Sequence, residues 1–389
     1  MTEPRIYLDH NATTPLRPEA AAAMASTFAL VGNPSSIHGF GRTVRRVVED
    51  AREQVAALVA VKPEAVIFTS GGTEANTLAV RGFRPRRVLV SAVEHVSVLE
   101  ADATAKRVPV DADGIVDLAA MEAMLAASDA PAMVSVMLAN NETGVIEPVA
   151  AVADVAARYG AVVHCDAIQA AGKVAIDLAS LGVQALSLSA HKLGGPAGVG
   201  ALILNGAPSL AAQLRGGGQE RRRRAGTENI TGIAGFGAAA AAIGDASALR
   251  AEETRMRALR AKLEAGLLAA TPKAEVVAGD AARLANTVCV LTPGVAAETM
   301  VMALDLAGAA VSAGAACSSG KVTASHVLRA MGVGDHLARQ AVRISIGWPT
   351  TASDIERFLV IWRAVAHQVG LAPVANPGIA GLADVNAAA

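Results

Sequence analysis

The 389-residue sequence has few cysteines, almost no net charge and no long apolar run. Its three cysteines, Cys165, Cys289 and Cys317, cannot all pair, and a chain of this size needs no disulfide, so at least one is a free thiol. A formal net charge of −1 provides no overall field that would attract nucleic acid. No run of eighteen or more strongly apolar residues occurs, so a membrane span is not expected.

The N-terminal stretch MTEPRIYLDHNATT also lacks the basic and apolar regions of a secretory signal, and we therefore expect a cytoplasmic protein. What the sequence does have is apolar residues, at 52% with a mean hydropathy of +0.40. A chain of this length and apolarity can bury a large core and divides into about two domains. Because the net charge of the chain is close to zero and would not attract nucleic acid, we expect a small ligand that is recognised locally.

Apolar segments of strand length alternate with helical patterns through the first two thirds of the chain. After a strand at 6–9 and a helix at 18–30, the predicted strands are 65–69, 88–91, 133–138, 161–165, 184–189 and 201–204, with helices at 43–59, 94–106 and 148–159. Such alternation predicts a mostly parallel sheet that helices cover on both faces. A long helix at 234–269 then leads to a smaller α+β part, with strands at 287–291 and 342–346 and helices at 297–306, 324–331 and 353–369.

Polar residues follow the carboxyl ends of the predicted strands. In sheets of this kind ligands bind outside those ends, so these side chains should meet in one cleft. They are Gly72 with Thr73, Glu94 with His95, Asn140 with Asn141 and Glu142, Asp166, and His191 with Lys192.

Lys192 stands where an apolar strand breaks into the glycine-rich stretch KLGGPAGVG. A lysine that does covalent chemistry must be held still and partly desolvated, so that its amine is neutral near pH 7. The simpler alternative is a surface lysine in a turn. For the Gly72-Thr73 turn the alternatives are a single-phosphate site, built from a strand, a glycine turn and a helix N-terminus, or an ordinary turn.

Three further segments carry candidate residues. The loop 32–42 offers Asn33 and His38 as substrate contacts or as turn and capping residues. The arginine-rich stretch 216–229 is predicted to supply Arg and Thr to a phosphate or carboxylate, including across a dimer interface. The small-residue stretch 312–321 is predicted to be a flexible, exposed loop carrying Cys317, with an incidental thiol as the alternative. Cys165 and Cys289 lie in apolar strands, where burial would make them inert.

These parts together suit pyridoxal 5′-phosphate (PLP). A lysine and an acid at neighbouring strand ends, a phosphate turn and a histidine able to face a π-system are what that cofactor requires. A metal site at His164-Cys165-Asp166 is the competing interpretation. It is disfavoured because adjacent strand residues point to opposite faces of a sheet.

The sequence resembles the cysteine desulfurases of the nitrogen-fixation and iron–sulfur-assembly branch, within the class V aminotransferase family of fold-type I PLP enzymes. The motifs that carry the resemblance run in order to about residue 350: YLDHNATTP, GNPSSIHGFG, FTSGGTEAN, VEHVSVL, NNETGVIEP, HCDAIQAAGK, SLSAHKLGGPAGVG, RRRAGTEN, GAACSSG and VRISIG. The resemblance implies an α/β fold. A large domain at 15–255 would hold a mostly parallel seven-stranded sheet flanked by helices, and a smaller α+β domain, 1–14 with 256–389, would carry the cysteine loop at about 312–325.

The resemblance also implies roles for residues around the cofactor. Lys192 would bind PLP covalently, His95 would stack on its ring and handle protons, and Asp166 would pair with its pyridinium nitrogen. Gln169 would face the phenolic oxygen, and Asn141 would line the site. The phosphate would be held by Gly72, Thr73, Ser189, His191 and Thr227, the last arriving from the partner subunit of a homodimer.

For the substrate, the resemblance implies that Arg343 clamps the carboxylate of L-cysteine, with Asn33 and Asn141 beside it. Cys317 would be the nucleophile that takes the sulfur as a persulfide, leaving alanine, and would deliver it to an acceptor such as an iron–sulfur scaffold protein. The run Gly347-Trp348-Pro349 departs from the arginine and aromatic that the family often has there. A selenocysteine lyase or aminotransferase, in which Cys317 is incidental, and a non-catalytic relative are the alternatives.

Overall fold

The computed structural model describes residues 5–85, 87–206, 209–314 and 324–371. In chain order the strands are β1 (Ile6–Tyr7), β2 (Val66–Thr69), β3 (Arg87–Ser91), β4 (Lys106–Val108), β5 (Ala132–Ser135), β6 (Val162–Asp166), β7 (Ala185–Ser189), β8 (Gly200–Leu204), β9 (Glu275–Val276), β10 (Thr287–Leu291), β11 (Ala309–Ala310), β12 (Ser312–Ala313) and β13 (Ala341–Ser345). The helices are α1 (Pro18–Thr27), α2 (Gly39–Leu58), α3 (Gly72–Gly82), α4 (Val96–Leu99), α5 (Leu118–Ala126), α6 (Val149–Arg158), α7 (Leu178–Leu181), α8 (Ile230–Ala242), α9 (Ala246–Ala270), α10 (Ala297–Leu306), α11 (His326–Ala330), α12 (Asp335–Ala338) and α13 (Ala352–Gln368).

The main sheet has seven strands in the order β2-β8-β7-β6-β5-β3-β4. The strands from β7 to β4 are parallel to one another, whereas β8 pairs antiparallel with both β7 and β2. Every residue of β7 and β8 is buried, because helices cover both faces. The predicted mostly parallel seven-stranded sheet is therefore confirmed. Its parallel strands end along one edge, which is where the polar residues lie.

The second sheet is antiparallel, in the order β12-β13-β10-β9, and helices α9, α10 and α13 pack near it. The N-terminal strand joins this part of the molecule, since β1 pairs in parallel with β11. Ile6 and Leu8 share a buried cluster with Phe358 and Trp362 of α13. The contacts of β1 with β11 and with the core of the second sheet thus hold the turn that follows β1 beside the main sheet.

Two predicted helices are wrong in extent. The segment 234–269 forms two helices, α8 and α9, that meet at 80°, because Gly244 adopts φ +81° and Asp245 caps the start of α9. The segment 94–106 is helical for one turn only, in α4. The side chain of Asp102 accepts hydrogen bonds from Thr104 in a turn, and the chain then enters β4 at the sheet edge.

Within the described ranges, no single helix is long and apolar enough to cross a membrane. By length and composition alone, the bent pair α8 and α9 meets that test together.

Candidate active site

A cavity of about 440 Å³ lies at the carboxyl edge of the main sheet, between that sheet and strands β12 and β13. Most of the residues predicted for the site line it: Gly72, Thr73, His95, Asn141, Asp166, Gln169, Ser189, His191, Lys192 and Arg343. They come from six different segments of the chain. The shared edge of the main sheet brings five of these together, and β13 of the second sheet supplies Arg343. Asn11, Ala12, Ser97 and Ser312 also line the cavity and were not predicted.

Lys192 follows β7 in a short 3-10 turn. Its Nζ donates to the backbone carbonyls of Asn11, at 2.5 Å, and Ala12, at 2.8 Å. Burial, together with the positive charge of Arg343, lowers the pKa of Lys192 from 10.5 to about 8, although Asp9 and Asp166 oppose the shift. The amine is therefore fixed in place, and a larger fraction of it is neutral at physiological pH than of an ordinary lysine amine.

Asp166 is the last residue of β6, and its carboxylate is buried. Its Oδ2 accepts from Asn76 Nδ2 at 2.7 Å, and its Oδ1 accepts from the backbone N–H of Ile168 at 2.9 Å. Burial raises the pKa of Asp166, and these hydrogen bonds oppose that rise. A cationic N–H brought into the cavity would stabilise the ionised form.

His95 is the N-cap residue of α4. Its Nδ1 accepts from the backbone N–H of Ser97 at 3.1 Å and lies 2.7 Å from the Ser97 hydroxyl. Burial lowers the pKa of His95, although Asp166 raises it. The ring that lines the cavity is therefore neutral near pH 7.

The strand β2 runs through Gly71 into α3, as the anion-binding pattern predicts. Gly71 has φ +157° and ψ −177°, a conformation that favours glycine. A Cβ built on Gly72 would lie 2.2 Å from the Ile168 side chain, so the turn approaches that residue closely. The first backbone N–H groups of the eleven-residue helix α3 thus lie at the cavity, which suits a phosphate.

Ser189 and His191 also line the cavity, and a Cβ built on Gly72 at the start of α3 would lie 3.5 Å from the Ser189 side chain. Ser189 is the last residue of β7 and is buried. His191 Nδ1 lies 3.2 Å from the Thr13 hydroxyl, and burial and the neighbouring Lys192 lower the pKa of His191 to about 4. A neutral imidazole and a hydroxyl can both donate to an anion.

Arg343 projects from β13 and is buried. It donates through Nη1 to the Asn141 carbonyl at 3.0 Å and through Nη2 to Asp9 Oδ1 at 2.8 Å. Its buried Nε has no hydrogen-bond partner among the described residues. Ser312 donates to the other oxygen of Asp9, at 3.0 Å. A guanidinium held in this way at a cavity wall is suited to a carboxylate ligand.

Asn11 is the main site residue that the sequence prediction missed. Its side-chain Nδ2 donates to Thr287 Oγ1 at 2.9 Å, and its Oδ1 accepts from Asn286 at 3.1 Å. Its backbone carbonyl accepts from both Lys192 and Gln169. The polar turn after the first strand was visible in the sequence, but its role depends on contacts more than 270 residues away.

Gln169 is held in one orientation by its neighbours. Its Nε2 donates to the Asn11 carbonyl at 2.9 Å, and its Oε1 accepts from Lys173 Nζ at 2.8 Å. Burial lowers the pKa of Lys173 to about 7. Since the Asn11 carbonyl can only accept, it must face the amide N–H groups of Gln169, and the amide oxygen is left for Lys173.

Some residues that the sequence places at the site do not line this cavity. Among those at strand ends, Glu94, Asn140 and Glu142 are buried beside it and bond Ser135, the Val93 carbonyl and Ser325 instead. Asn33 is exposed, and its Oδ1 accepts from the backbone N–H of Ser35 in a turn. Thr227 is exposed as well. His38 caps the start of α2, as the capping alternative for that loop has it. Cys317 lies outside the described residues.

Cys165, Cys289 and His164, which the sequence analysis also considered, are buried within strands of the two sheets. Cys165 and Cys289 are buried, as predicted, and burial raises the pKa of Cys289 to about 12. The two ring nitrogens of His164 lie 2.9 Å from Ser135 Oγ and 2.8 Å from Ser187 Oγ, so neither is left for a metal ion.

Trp348, where the sequence departs from the pattern that the family often has, lies next to the turn that follows β1. The Trp348 ring nitrogen donates to the Pro15 carbonyl at 3.1 Å, and the guanidinium of Arg17 lies 5.4 Å from the centre of its ring. This tryptophan therefore packs against the turn that follows β1.

Comparisons with known proteins agree on one family. The model of the aminotransferase class-V family matches residues 6–358. A cysteine desulfurase from Cereibacter sphaeroides is 45% identical over 94% of this chain and 96% of its own. The X-ray structure of a NifS-like protein from Rickettsia africae, 33% identical, superposes with a TM-score of 0.86 over 93% of this chain and 99% of its own. A structure described as SspA in complex with cysteine, 27% identical, has a TM-score of 0.74 over 88% and 98%.

Proposed function

This chain belongs to the class-V aminotransferase family and, within it, to the cysteine desulfurases, and from that premise we propose that it removes sulfur from free L-cysteine with PLP as cofactor. The observation that carries the proposal is the meeting of a desolvated lysine, a buried aspartate and a buried arginine in one cavity. Lys192, Asp166 and Arg343 supply those three groups. The products would be L-alanine and a persulfide on the enzyme.

The residues present fit PLP. Asp166 is a buried carboxylate whose raised pKa would be relieved by a cationic ring nitrogen. Lys192 would hold the aldehyde carbon, Gln169 would donate to the phenolic oxygen, and the turn at Gly72, with Thr73, Ser189 and His191, would hold the phosphate. When bound, the cofactor supplies an electron sink that stabilises negative charge on the substrate carbon.

The chain's own groups would then manage the substrate and its protons. Arg343 would bind the cysteine carboxylate, with Asn141 at its side, and so fix the Cα–H bond toward Lys192. The Lys192 amine, with its pKa lowered to about 8, can both accept and return a proton near neutral pH. The buried walls of the cavity would keep bulk water from this exchange.

Cys317 would receive the sulfur. Its thiolate would attack the substrate sulfur, the carbon–sulfur bond would break with its electron pair left on the carbon fragment, and a proton would complete alanine. The sulfur bound to Cys317 would pass as a persulfide to an acceptor protein, for which an iron–sulfur cluster scaffold is our proposal. The SspA relative in complex with cysteine supports cysteine as the substrate.

We also propose the domain division and the assembly. Residues 15–255 would form the PLP-binding domain, and residues 1–14 with 256–389 would form the smaller domain. The chain would act as a homodimer, in which Asn33 and Thr227, both exposed outside the chain's own cavity, serve a site shared between subunits.

The experiment is a mass spectrum of the Cys317 peptide after brief incubation of the holoenzyme with L-cysteine and no reductant, with alanine assayed in parallel. One added sulfur on Cys317 and matching alanine are expected. Cys317→Ser should lose both, whereas Cys165→Ser, which changes a buried thiol, should form alanine as before. Alanine without a persulfide on Cys317 would favour a lyase, and no alanine at all would overturn the proposal.

A further inference from the structure

A hydrogen-bond chain connects the carboxylate of Asp166 to the ring of His95. Asn76 Nδ2 lies 2.7 Å from Asp166 Oδ2 and 2.9 Å from Ser97 Oγ. Ser97 Oγ in turn lies 2.7 Å from His95 Nδ1. An amide nitrogen carries two hydrogens, so Asn76 can serve both acceptors at once.

The direction of these bonds fixes where His95 carries its proton. The backbone N–H of Ser97 points at Nδ1 from 3.1 Å, and a backbone N–H can only donate. Nδ1 must therefore present its lone pair. In the neutral ring the proton then sits on Nε2, and the Ser97 hydroxyl, which accepts from Asn76, is free to donate to Nδ1 as well.

Nε2 is the ring nitrogen left for the cavity. His95 lines that cavity, and no described residue hydrogen-bonds to its Nε2. A second proton would have to enter at Nδ1, where it would oppose two donors. Three titratable groups face the ring. Asp166 at the end of β6 raises the pKa of His95, whereas Lys192, after β7, and His326, in α11, lower it together with burial.

We infer that His95 acts in the reaction as a neutral hydrogen-bond donor, through Nε2–H, to the substrate sulfur as it becomes the anionic outer sulfur of the Cys317 persulfide, and that Ser97 and Asn76 are positioning residues that fix this tautomer. The thiol proton of the cysteine goes to the carbon fragment and completes alanine. The inference rests on the proposed function and narrows the proton-handling role that the resemblance implies. Nε2 already carries a proton, so it cannot act as a base, and Lys192 is left to move protons. A neutral imidazole whose pKa is lowered by burial is suited to stabilising negative charge in this way.

Nitrogen NMR of the holoenzyme labelled at its histidines tests the tautomer directly. The His95 signals are identified by their loss in His95→Gln. We expect a protonated Nε2 and an unprotonated Nδ1 throughout the pH range of activity. An Nδ1–H tautomer, or an imidazolium that titrates together with the rate of alanine formation, would overturn the inference.

The Ser97 hydroxyl is tested by Ser97→Ala, which keeps the backbone N–H and removes the O–H. We expect alanine formation to fall about five-fold, the kinetic equivalent of one hydrogen bond, and the pKa of His95 to rise. Ser97→Thr, which restores a hydroxyl, should recover both. The matched control is Ser180→Ala in α7, whose exposed hydroxyl bonds Asp177 and which should behave as wild type. A Ser97→Ala variant with unchanged rate and unchanged His95 pKa would contradict the positioning role.

The donor role itself is tested by two replacements of His95. Gln retains an N–H donor but cannot transfer a proton at neutral pH, whereas Leu retains neither. We expect His95→Gln to keep roughly 10²-fold more activity than His95→Leu, with the pH profile of the wild type. Equal loss in both variants of an active wild-type enzyme would mean that His95 transfers a proton. A wild type that forms no alanine from cysteine would instead refute the proposed function, and the NMR measurement would still test the tautomer.

Discussion

At the scale of single residues, the ionisation of Lys192 is a balance between burial and charge. Burial and Arg343 lower its pKa, while Asp9 and Asp166 raise it, and the result is about 8. At pH 7 about a tenth of the amine is then neutral, compared with far less for an ordinary lysine. A single residue therefore carries much of the pH dependence that we expect of cofactor capture.

The rate at which PLP combines with the apoprotein should rise with pH and level off above about 8, because only the neutral amine reacts. Stopped-flow absorbance at several pH values measures it. Arg343→Gln removes a positive neighbour, raises the pKa of Lys192 and should move the plateau to higher pH. Arg329→Gln, at an exposed pair with Asp335, is the matched control and should not. A wild-type rate that keeps rising toward the ordinary lysine value of 10.5 would contradict this.

The residues that could be predicted are those whose positions follow from strand order. Thr73, Asp166 and Lys192 all stand at carboxyl ends of strands, so the alternation of strands and helices was enough to bring them together. Asn11 could not be placed in this way, because its partners come from the second sheet. The contact of Ser97 with His95 could have been predicted from the local sequence. A hydroxyl two residues after a histidine that begins a helix is a local capping pattern.

At the scale of elements, the sequence predicted whether a segment is a helix or a strand better than it predicted the residues at which the segment begins and ends. The helix 297–306 and the strand 287–291 coincide with α10 and β10. The limits failed where one residue redirects the chain, as Gly244 does between α8 and α9. Small residues on both sides of that glycine continue the helical pattern, so periodicity alone gave no stop signal there.

The strand–turn–helix element of β2 and α3 gives a prediction about phosphate binding. Gly72→Ala would place a Cβ 2.2 Å from the Ile168 side chain, which must then move beside the cavity. We expect PLP affinity to fall about ten-fold, as measured by fluorescence titration of the apoprotein, because the phosphate turn would shift by some tenths of an ångström. Gly334→Ala, where a Cβ meets nothing within 4 Å, is the control, and equal affinities in the two variants would contradict the prediction.

The segment 219–222 is held in an unusual conformation by one buried ion pair. Glu220, Arg221 and Arg222 have φ values of 44°, 55° and 65°, which non-glycine residues seldom adopt. The Glu220 carboxylate accepts from Arg52 at 2.8 and 2.9 Å and from the backbone N–H of Phe68 at 3.0 Å. This anchor joins the arginine-rich stretch to α2 and to β2.

Glu220→Gln should destabilise the protein by about 3 kcal/mol, because it leaves the buried Arg52 with only the half-exposed Glu49 as a counter-charge and frees a strained segment. Urea denaturation of the holoenzyme measures the change. The control is Asp335→Asn, which breaks the exposed pair with Arg329 and should alter stability little. If the two variants lost the same stability, the buried pair would not be the anchor.

At the scale of the whole molecule, one exposed region stands out near the loop 32–42. Phe28, Val31, Ile37 and Phe40 are 75%, 75%, 87% and 69% exposed. Large apolar side chains rarely stay exposed together on a monomer, so this region suits a subunit contact. Asn33 lies within the same stretch, which explains how a residue outside the chain's own cavity could serve a site in a dimer.

Subunit complementation tests whether Thr227 acts across a dimer interface. Lys192→Ala and Thr227→Ala proteins, each weakly active alone, are unfolded together and refolded as a mixture with PLP. If Thr227 serves the partner's cavity, mixed dimers contain one intact site, and activity should return to about a quarter of wild type. Each protein refolded alone is the control. No recovery in a mixture that sediments as a dimer would place Thr227 in its own subunit's site.

The pairing of β1 with β11 also sets an order of events during synthesis. Ile6 and Tyr7 are made some 300 residues before their partners, Ala309 and Ala310. Domains generally fold as units while the chain grows, so the main sheet can form before β1 has its partner strand β11. The carbonyls of Asn11 and Ala12 that hold Lys192 reach their place only when β10 and β13 have been made. A nascent chain that stops short of β13 should therefore have its lysine but not the finished cavity, and PLP capture becomes a late step of translation.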